Sequence, residues 1–203
     1  MSADNKFTGF ISKIFELPLW IKQVIYLKLK GHLEKSGTKY YLDIMTEDNI
    51  FQLYKPQLTF RGRKELETHS KGLDPNLYKF LASLDSNKNI IEITISNFWT
   101  LEECAKYFTD ALDEEFILKP ECNIINGMAY YLSGKIRLGE YFTRIGKINI
   151  HQLDEALRAQ KQIQETTGDK LGIAGIMMNL GLVSEEDIQS ILLIKEESKK
   201  RFL

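Results

Sequence analysis

Residues 137–160 read RLGEYFTRIGKINIHQLDEALRAQ, and residues 170–195 read KLGIAGIMMNLGLVSEEDIQSILLIK. Aligned on Gly146 and Gly181, the two stretches place the same chemistry at the same offsets. Ile148 matches Val183, and Asn149 matches Ser184, both residues whose side-chain oxygens cap helix N-termini. Gln152 matches Asp187, three residues further, where a capping box needs an acceptor. Leu153 and Leu157 then match Ile188 and Leu192, i and i+4 on one helical face. The unit is a short helix or turn, a glycine-ended break, an N-cap and a second helix. Glycine ends the first helix because it takes the left-handed conformation without steric cost. One unit this short cannot bury its apolar ladder, whereas two stacked units can.

Outward from the repeat, the punctuation changes. All four prolines (Pro18, Pro56, Pro75 and Pro120) precede residue 121, and eight of the thirteen glycines follow it. This shift places a domain boundary near Pro120. Upstream, Leu19 to Lys35 fits a helix with Trp20, Val24 and Leu27 on one side. The alternation of Leu27, Leu29 and Gly31 with Lys28 and Lys30 also fits a strand, the helix being the favoured reading. Residues 40–66 show no clear period. Asp74-Pro75 opens a helix in which Leu77, Phe80, Leu81 and Leu84 follow the i, i+3, i+4, i+7 rule. Ile91, Ile93 and Ile95 alternate with Glu92, Thr94 and Ser96, which predicts a half-buried strand. Thr100 with Glu103 forms a capping box for a helix through about Phe116. The expected class is therefore α+β, mostly helical. A small α+β domain over 1–120 precedes a duplicated helical domain over 121–203, with units 137–160 and 170–195.

The bulk chemistry excludes several functions. The 203 residues carry 27 basic and 28 acidic side chains, so no basic half marks a nucleic-acid footprint. Cys104 and Cys122 form no CxxC pair, and His32, His69 and His151 have no metal-ligand spacing. The most apolar stretch, PLWIKQVIYLKL, is broken by Lys22 and Lys28, and the first ten residues lack the apolar core of a signal peptide. The expected location is the cytoplasm. GKIRLGEY at 134–141 starts like a phosphate loop but continues Glu-Tyr where lysine and Ser/Thr are needed. No nucleophile stands at a readable spacing from a base, so the chain is expected not to be an enzyme and to need no cofactor or metal. RGRK at 61–64 is a compact basic cluster, read first as a solvated face and second as a weak nucleic-acid contact.

The RLG at 137–139, the glycine at 146, the leucines at 153 and 157 and Gln160 together resemble the motif of the MshE-type N-terminal domain. That domain stands at the front of type II secretion (GspE N-terminal) and type IV pilus assembly ATPases, and many members bind cyclic di-GMP. The resemblance covers about residues 135–198. It implies a nucleotide-binding set of Arg137, Leu138, Gly139, Gly146, Leu153, Leu157 and Gln160 in the first copy, and Lys170, Leu171 and Gly172 in the second. In that reading the guanidinium lies on a guanine face or bridges its O6/N7 edge and a phosphate. Gly139 lets backbone amides approach a phosphate, and leucines flank the purine. Arg137 equally suits a surface arginine beside Glu140, the ladder suits a core, and Gly139 suits a helix break. Thr143 and Lys147 stand where the family has aliphatic residues, and Lys170 and Lys195 stand for its arginine and glutamine. The implied function is a non-enzymatic adaptor or effector that senses cyclic di-GMP and serves a secretion, pilus or flagellar machine. The alternative is a nucleotide-independent protein–protein module, with an apolar groove beside Ile176, Met177 and Met178.

Overall fold

The computed structural model describes residues 51–84, 86–168 and 171–200. The 19–35 segment, with its open choice of helix or strand, lies outside the described residues. Residues 51–53 are helical, and nine helices follow among the described residues. They are α1 (Phe60–Thr68), α2 (Pro75–Leu84), α3 (Ile90–Ser96), α4 (Leu101–Asp113), α5 (Asn123–Leu132), α6 (Leu138–Arg144), α7 (Ile150–Thr167), α8 (Ile173–Asn179) and α9 (Glu185–Glu197). The chain is mostly helical. Its β content among the described residues is one isolated antiparallel bridge, Leu58 to Ile117.

The strand expected at 91–95 is helix α3, and with it the α+β character expected of the N-terminal part disappears from residues 51–120. The cause is local. Asn89 accepts from the Glu92 N–H at 2.9 Å, and the Glu92 carboxylate accepts from the Asn89 N–H at 2.9 Å. This capping box starts a helix where alternation alone reads a strand. Ile90, Ile91, Ile93 and Thr94 are all buried, an i, i+1, i+3, i+4 set that belongs to a helical face. Buried Thr94 satisfies its hydroxyl within the helix by donating to the Ile90 carbonyl at 2.7 Å.

The N-terminal helices close around Phe108 on α4. The rings of Phe51, Tyr54 and Phe80 meet it edge-on, with centroids at 5.5, 6.0 and 6.4 Å. Burying a side chain of this size contributes about 1.5–3 kcal/mol. Helix α4 starts at the Thr100–Glu103 capping box read from the sequence, and α2 buries Leu77, Phe80, Leu81 and Leu84. Across Pro120, α5 packs directly on α4, and one buried cluster runs from Phe51 to Ile191. Lys135 reinforces that junction with ion pairs to Asp110 at 2.7 Å and Asp113 at 2.5 Å.

Between α1 and α2 the chain turns around one buried carboxylate. Glu65 accepts from the Tyr78 hydroxyl at 2.6 Å, the Ser70 hydroxyl at 2.7 Å and the Lys71 N–H at 2.9 Å. These bonds, Tyr78's first and then Ser70's, hold its carboxyl down to about 2 from an ordinary 4.5. A carboxyl lowered on folding stabilises the fold above its unfolded value, and that contribution is lost as pH falls toward the folded value. The thermal midpoint is therefore expected to drop between about pH 4.5 and about pH 2. Glu65→Gln should lower the midpoint at pH 7 and flatten the profile in that window. An unchanged slope in the variant would show that the turn does not depend on this charge.

Candidate functional site

Three helix junctions share one design. Gly134, Gly146 and Gly181 end α5, α6 and α8 with φ of 78°, 79° and 67°, the left-handed region that favours glycine. After each comes one residue, then a branched aliphatic one (Ile136, Ile148 or Val183), then the N-cap of the next helix. The Lys135, Lys147 and Leu182 N–H groups donate back to the Tyr130, Phe142 and Met177 carbonyls at 3.0, 2.9 and 2.9 Å. Sequence alignment on Gly146 and Gly181 misses the junction at Gly134, because Arg137 is a poor capping residue. The Glu140 carboxylate accepts from the Arg137 N–H at 2.7 Å, but an arginine side chain has no acceptor with which to complete the box.

The nucleotide-binding residues expected in the first copy fall into three groups. Arg137 is exposed at the start of α6, and its guanidinium meets no carboxylate among the described residues. The surface pair with Glu140 does not form, since Glu140 holds the backbone instead. Leu138 is half-buried beside it. Gly139 and Leu153 are buried, and their business is with each other. A Cβ on Gly139 would stand 2.5 Å from Leu153 Cδ1, so this glycine lets α6 press onto α7. Gly146 serves its junction.

Leu157, Gln160 and Leu171 form the third group. Gln160 Nε2 donates to the Leu171 carbonyl at 2.7 Å, which straps the start of the second copy onto α7. Leu153, Leu157 and Gln160 follow at i, i+4 and i+7 on α7, so they share a side of that helix. Leu157 and Leu171 both expose their side chains, and the Leu171 carbonyl is held beside Gln160. One side of α7 thus gathers Leu157, Gln160 and Leu171, with Arg137 and Leu138 two residues or fewer from the Gly139 contact on Leu153. Gly172 is the exposed N-cap of α8, and Lys170 lies outside the described residues.

The leucine ladder divides in the same way in both copies. Its first rung is core, with Leu153 at 6% and Ile188 at 4% exposure. Its second rung is surface, with Leu157 at 45% and Leu192 at 48%. The apolar groove expected beside Ile176, Met177 and Met178 is a correction: Ile176 and Met177 are buried in the core and Met178 is half-buried. The seven-residue α8 has no other apolar side with which to hold its place.

Two of the four departures from the motif, Lys147 and Lys195, carry ion pairs. Lys147 reaches Asp187 at 2.7 Å across the two copies. Lys147 first, then the Ser184 hydroxyl, holds the Asp187 carboxyl down to about 2. Lys195, in the glutamine position of the second copy, turns inward to Glu102 of α4 at 2.8 Å and to the Leu132 carbonyl of α5. Thr143 donates its hydroxyl to the Gly139 carbonyl at 3.0 Å. In the RGRK cluster, Arg61 is held by Glu115 at 3.1 Å and Glu114 at 3.6 Å. A Cβ on Gly62 would stand 2.1 Å from the Phe116 carbonyl oxygen. Half of that cluster is therefore devoted to docking α1. Cys104 is fully buried, and burial pushes its thiol up to about 12, which leaves it inert as a nucleophile.

No family model, curated protein or solved structure matches this chain. No described helix is long and apolar enough to cross a membrane.

Two substitutions separate packing from ligand contact. Gly139→Ala should destabilise the fold by about 1–3 kcal/mol through overpacking, with part of the loss recovered when Leu153→Ala is added. Strict additivity of the two changes in urea unfolding would show that they do not touch. Lys195→Ala should cost about 1–3 kcal/mol, because it leaves Glu102 and the Leu132 carbonyl without their cation. A loss within a few tenths of a kcal/mol would place Lys195 in solvent.

Proposed function

We propose that this chain is a non-enzymatic cytoplasmic adaptor or effector whose residues 121–203 form an MshE-type domain of two units, 137–160 and 170–195. Its ligand is cyclic di-GMP, taken at the side of α7 that faces Arg137 and Leu171, and residues 1–120 carry the response to a secretion, pilus or flagellar machine. The observation that carries this reading is the exposed second rung of the ladder, Leu157, on the same side of α7 as Gln160 and Leu171. Exposed leucines there offer flat apolar contact to a purine face. The guanidinium of Arg137, which meets no carboxylate among the described residues, supplies the charge, either stacking on guanine or donating to its O6/N7 edge and to a phosphate. Gln160 spends an amide hydrogen on Leu171, and its Oε1 would accept from a base. Gly139 enters as the contact that sets α6 against α7, in place of the phosphate approach implied by the motif.

Titration calorimetry with cyclic di-GMP tests the reading directly. Saturable heat is expected, and Arg137→Ala should weaken binding at least about tenfold, or about 1.4 kcal/mol. Leu157→Ala should weaken it as well, with helix content unchanged in both variants. A folded sample that gives no heat at ligand concentrations well above its own would end the nucleotide reading.

A second reading, a nucleotide-independent docking module, is favoured by Lys195. With that side chain committed to Glu102 and Leu132, the second unit has no free polar group at its glutamine position. A partner protein would then cover the Leu157–Leu171 face. Capture of such a partner that survives Arg137→Ala and fails on Leu157→Asp distinguishes this reading from the first.

A further inference from the structure

We propose that α9 is a latch that opens as one unit about the Gly181 junction while the core around Phe108 stays closed. Its packing is thin for its length. Helices α4 and α9 both have thirteen residues, yet α4 buries six of them and α9 buries two, Ile188 and Ile191. Ile194 is half-buried beside that pair, and Leu192 and Leu193 expose their side chains. A helix with so few buried apolar groups opens at a lower free energy than the core does.

Polar ties hold the two ends of α9 in place. At its start, Asp187 holds Lys147 of the α6–α7 junction at 2.7 Å. At its far end, Lys195 reaches the Glu102 carboxylate of α4 at 2.8 Å and the Leu132 carbonyl of α5. Just beyond, the Ser198 carbonyl accepts from the Glu102 N–H at 3.0 Å. The hinge is placed by Gly181, which has a φ of 67° and open space where a Cβ would stand, so no side chain obstructs rotation there. The Ser184–Asp187 capping box belongs wholly to α9 and travels with it. Opening therefore gives up these ties and the burial of Val183, Ile188 and Ile191, while the rings of Phe51, Tyr54 and Phe80 stay on Phe108. Because Lys147 belongs to the α6–α7 junction, a displacement of that junction pulls on Asp187 and loosens the latch. The inference is independent of nucleotide binding.

Native-state hydrogen exchange, read residue by residue by NMR over a series of low urea concentrations, tests the latch. A detached helix of thirteen residues is marginal in water, so one opening exposes its amides together. Amides of 189–197 are expected to exchange at least about tenfold faster than those of 105–112 in α4. Their dependence on urea should be shallower, because the latch exposes less surface than global unfolding does. Lys147→Ala should speed exchange about threefold at both ends of α9, although the tie lies at one. Lys195→Ala should speed it at least about fivefold, again along the whole helix. Phe108→Leu should speed the α4 amides and leave those of α9 unchanged. Should that variant fail to fold, the urea series on the unaltered chain makes the same distinction. Rates and urea slopes shared by α9 and α4, or an α9 that follows Phe108→Leu, overturn the proposal, since α9 then opens only with the whole fold. Acceleration confined to the altered end overturns it too, by showing fraying in place of a unit.

Discussion

A helix of seven residues leaves four N–H groups and four carbonyls at its ends and closes only three hydrogen bonds inside. Helices α3, α6 and α8 are all of this length, and none could persist alone in water. The architecture depends on how their ends are satisfied. α3 begins at a reciprocal Asn89–Glu92 box, and α6 and α8 end at left-handed glycines that return N–H groups to the preceding carbonyls. The junctions at Gly146 and Gly181 also drop a branched aliphatic residue, Ile148 or Val183, into the core. Short helices with such endings stack closely, and the one buried cluster that results needs no sheet.

Legibility of the fold in the sequence tracks how local each signal is. The boxes at Thr100–Glu103, Asn149–Gln152 and Ser184–Asp187 are three-residue patterns, and the helices begin where they stand. Residues 89–92 hold the same kind of signal, Asn-x-x-Glu, but the alternating isoleucines that follow read more strongly as a strand. In the folded chain Thr94 counts with the buried set because its hydroxyl finds the Ile90 carbonyl. The Gly134 junction escapes notice because an arginine occupies the cap. The ladder reads as apolar, yet nothing in its period reveals that one rung of each pair is core and the other surface.

The candidate site was legible in part and for a related reason. A motif shows which residues recur, whereas the roles of Lys147 and Lys195 depend on partners 40 and 93 residues away. Both lysines look like decay when set against a family pattern. In the fold they are cross-links, one joining the α6–α7 junction to α9 and the other joining α9 to α4 and α5. Gly139 shows the converse. It agrees with the pattern, yet its closest demand comes from Leu153, so conformity to the motif says little about ligand contact at that position.

Glu102 ties the last described helix, α9, to α4. Its carboxylate holds Lys195, and its N–H, one of the orphan donors at the start of α4, is satisfied by the Ser198 carbonyl. A shift of α9 along its axis would break both bonds and strand a mostly buried ammonium, so sliding α9 against α4 is costly. The Lys147–Asp187 pair then extends the connection from α9 back to the junction between α6 and α7. A ligand on the Leu157 side of α7 would therefore be linked to the N-terminal helices through two ion pairs and one helix. The Leu157 side of α7 stays exposed, whereas α9 is held through Lys195 against α4 and α5.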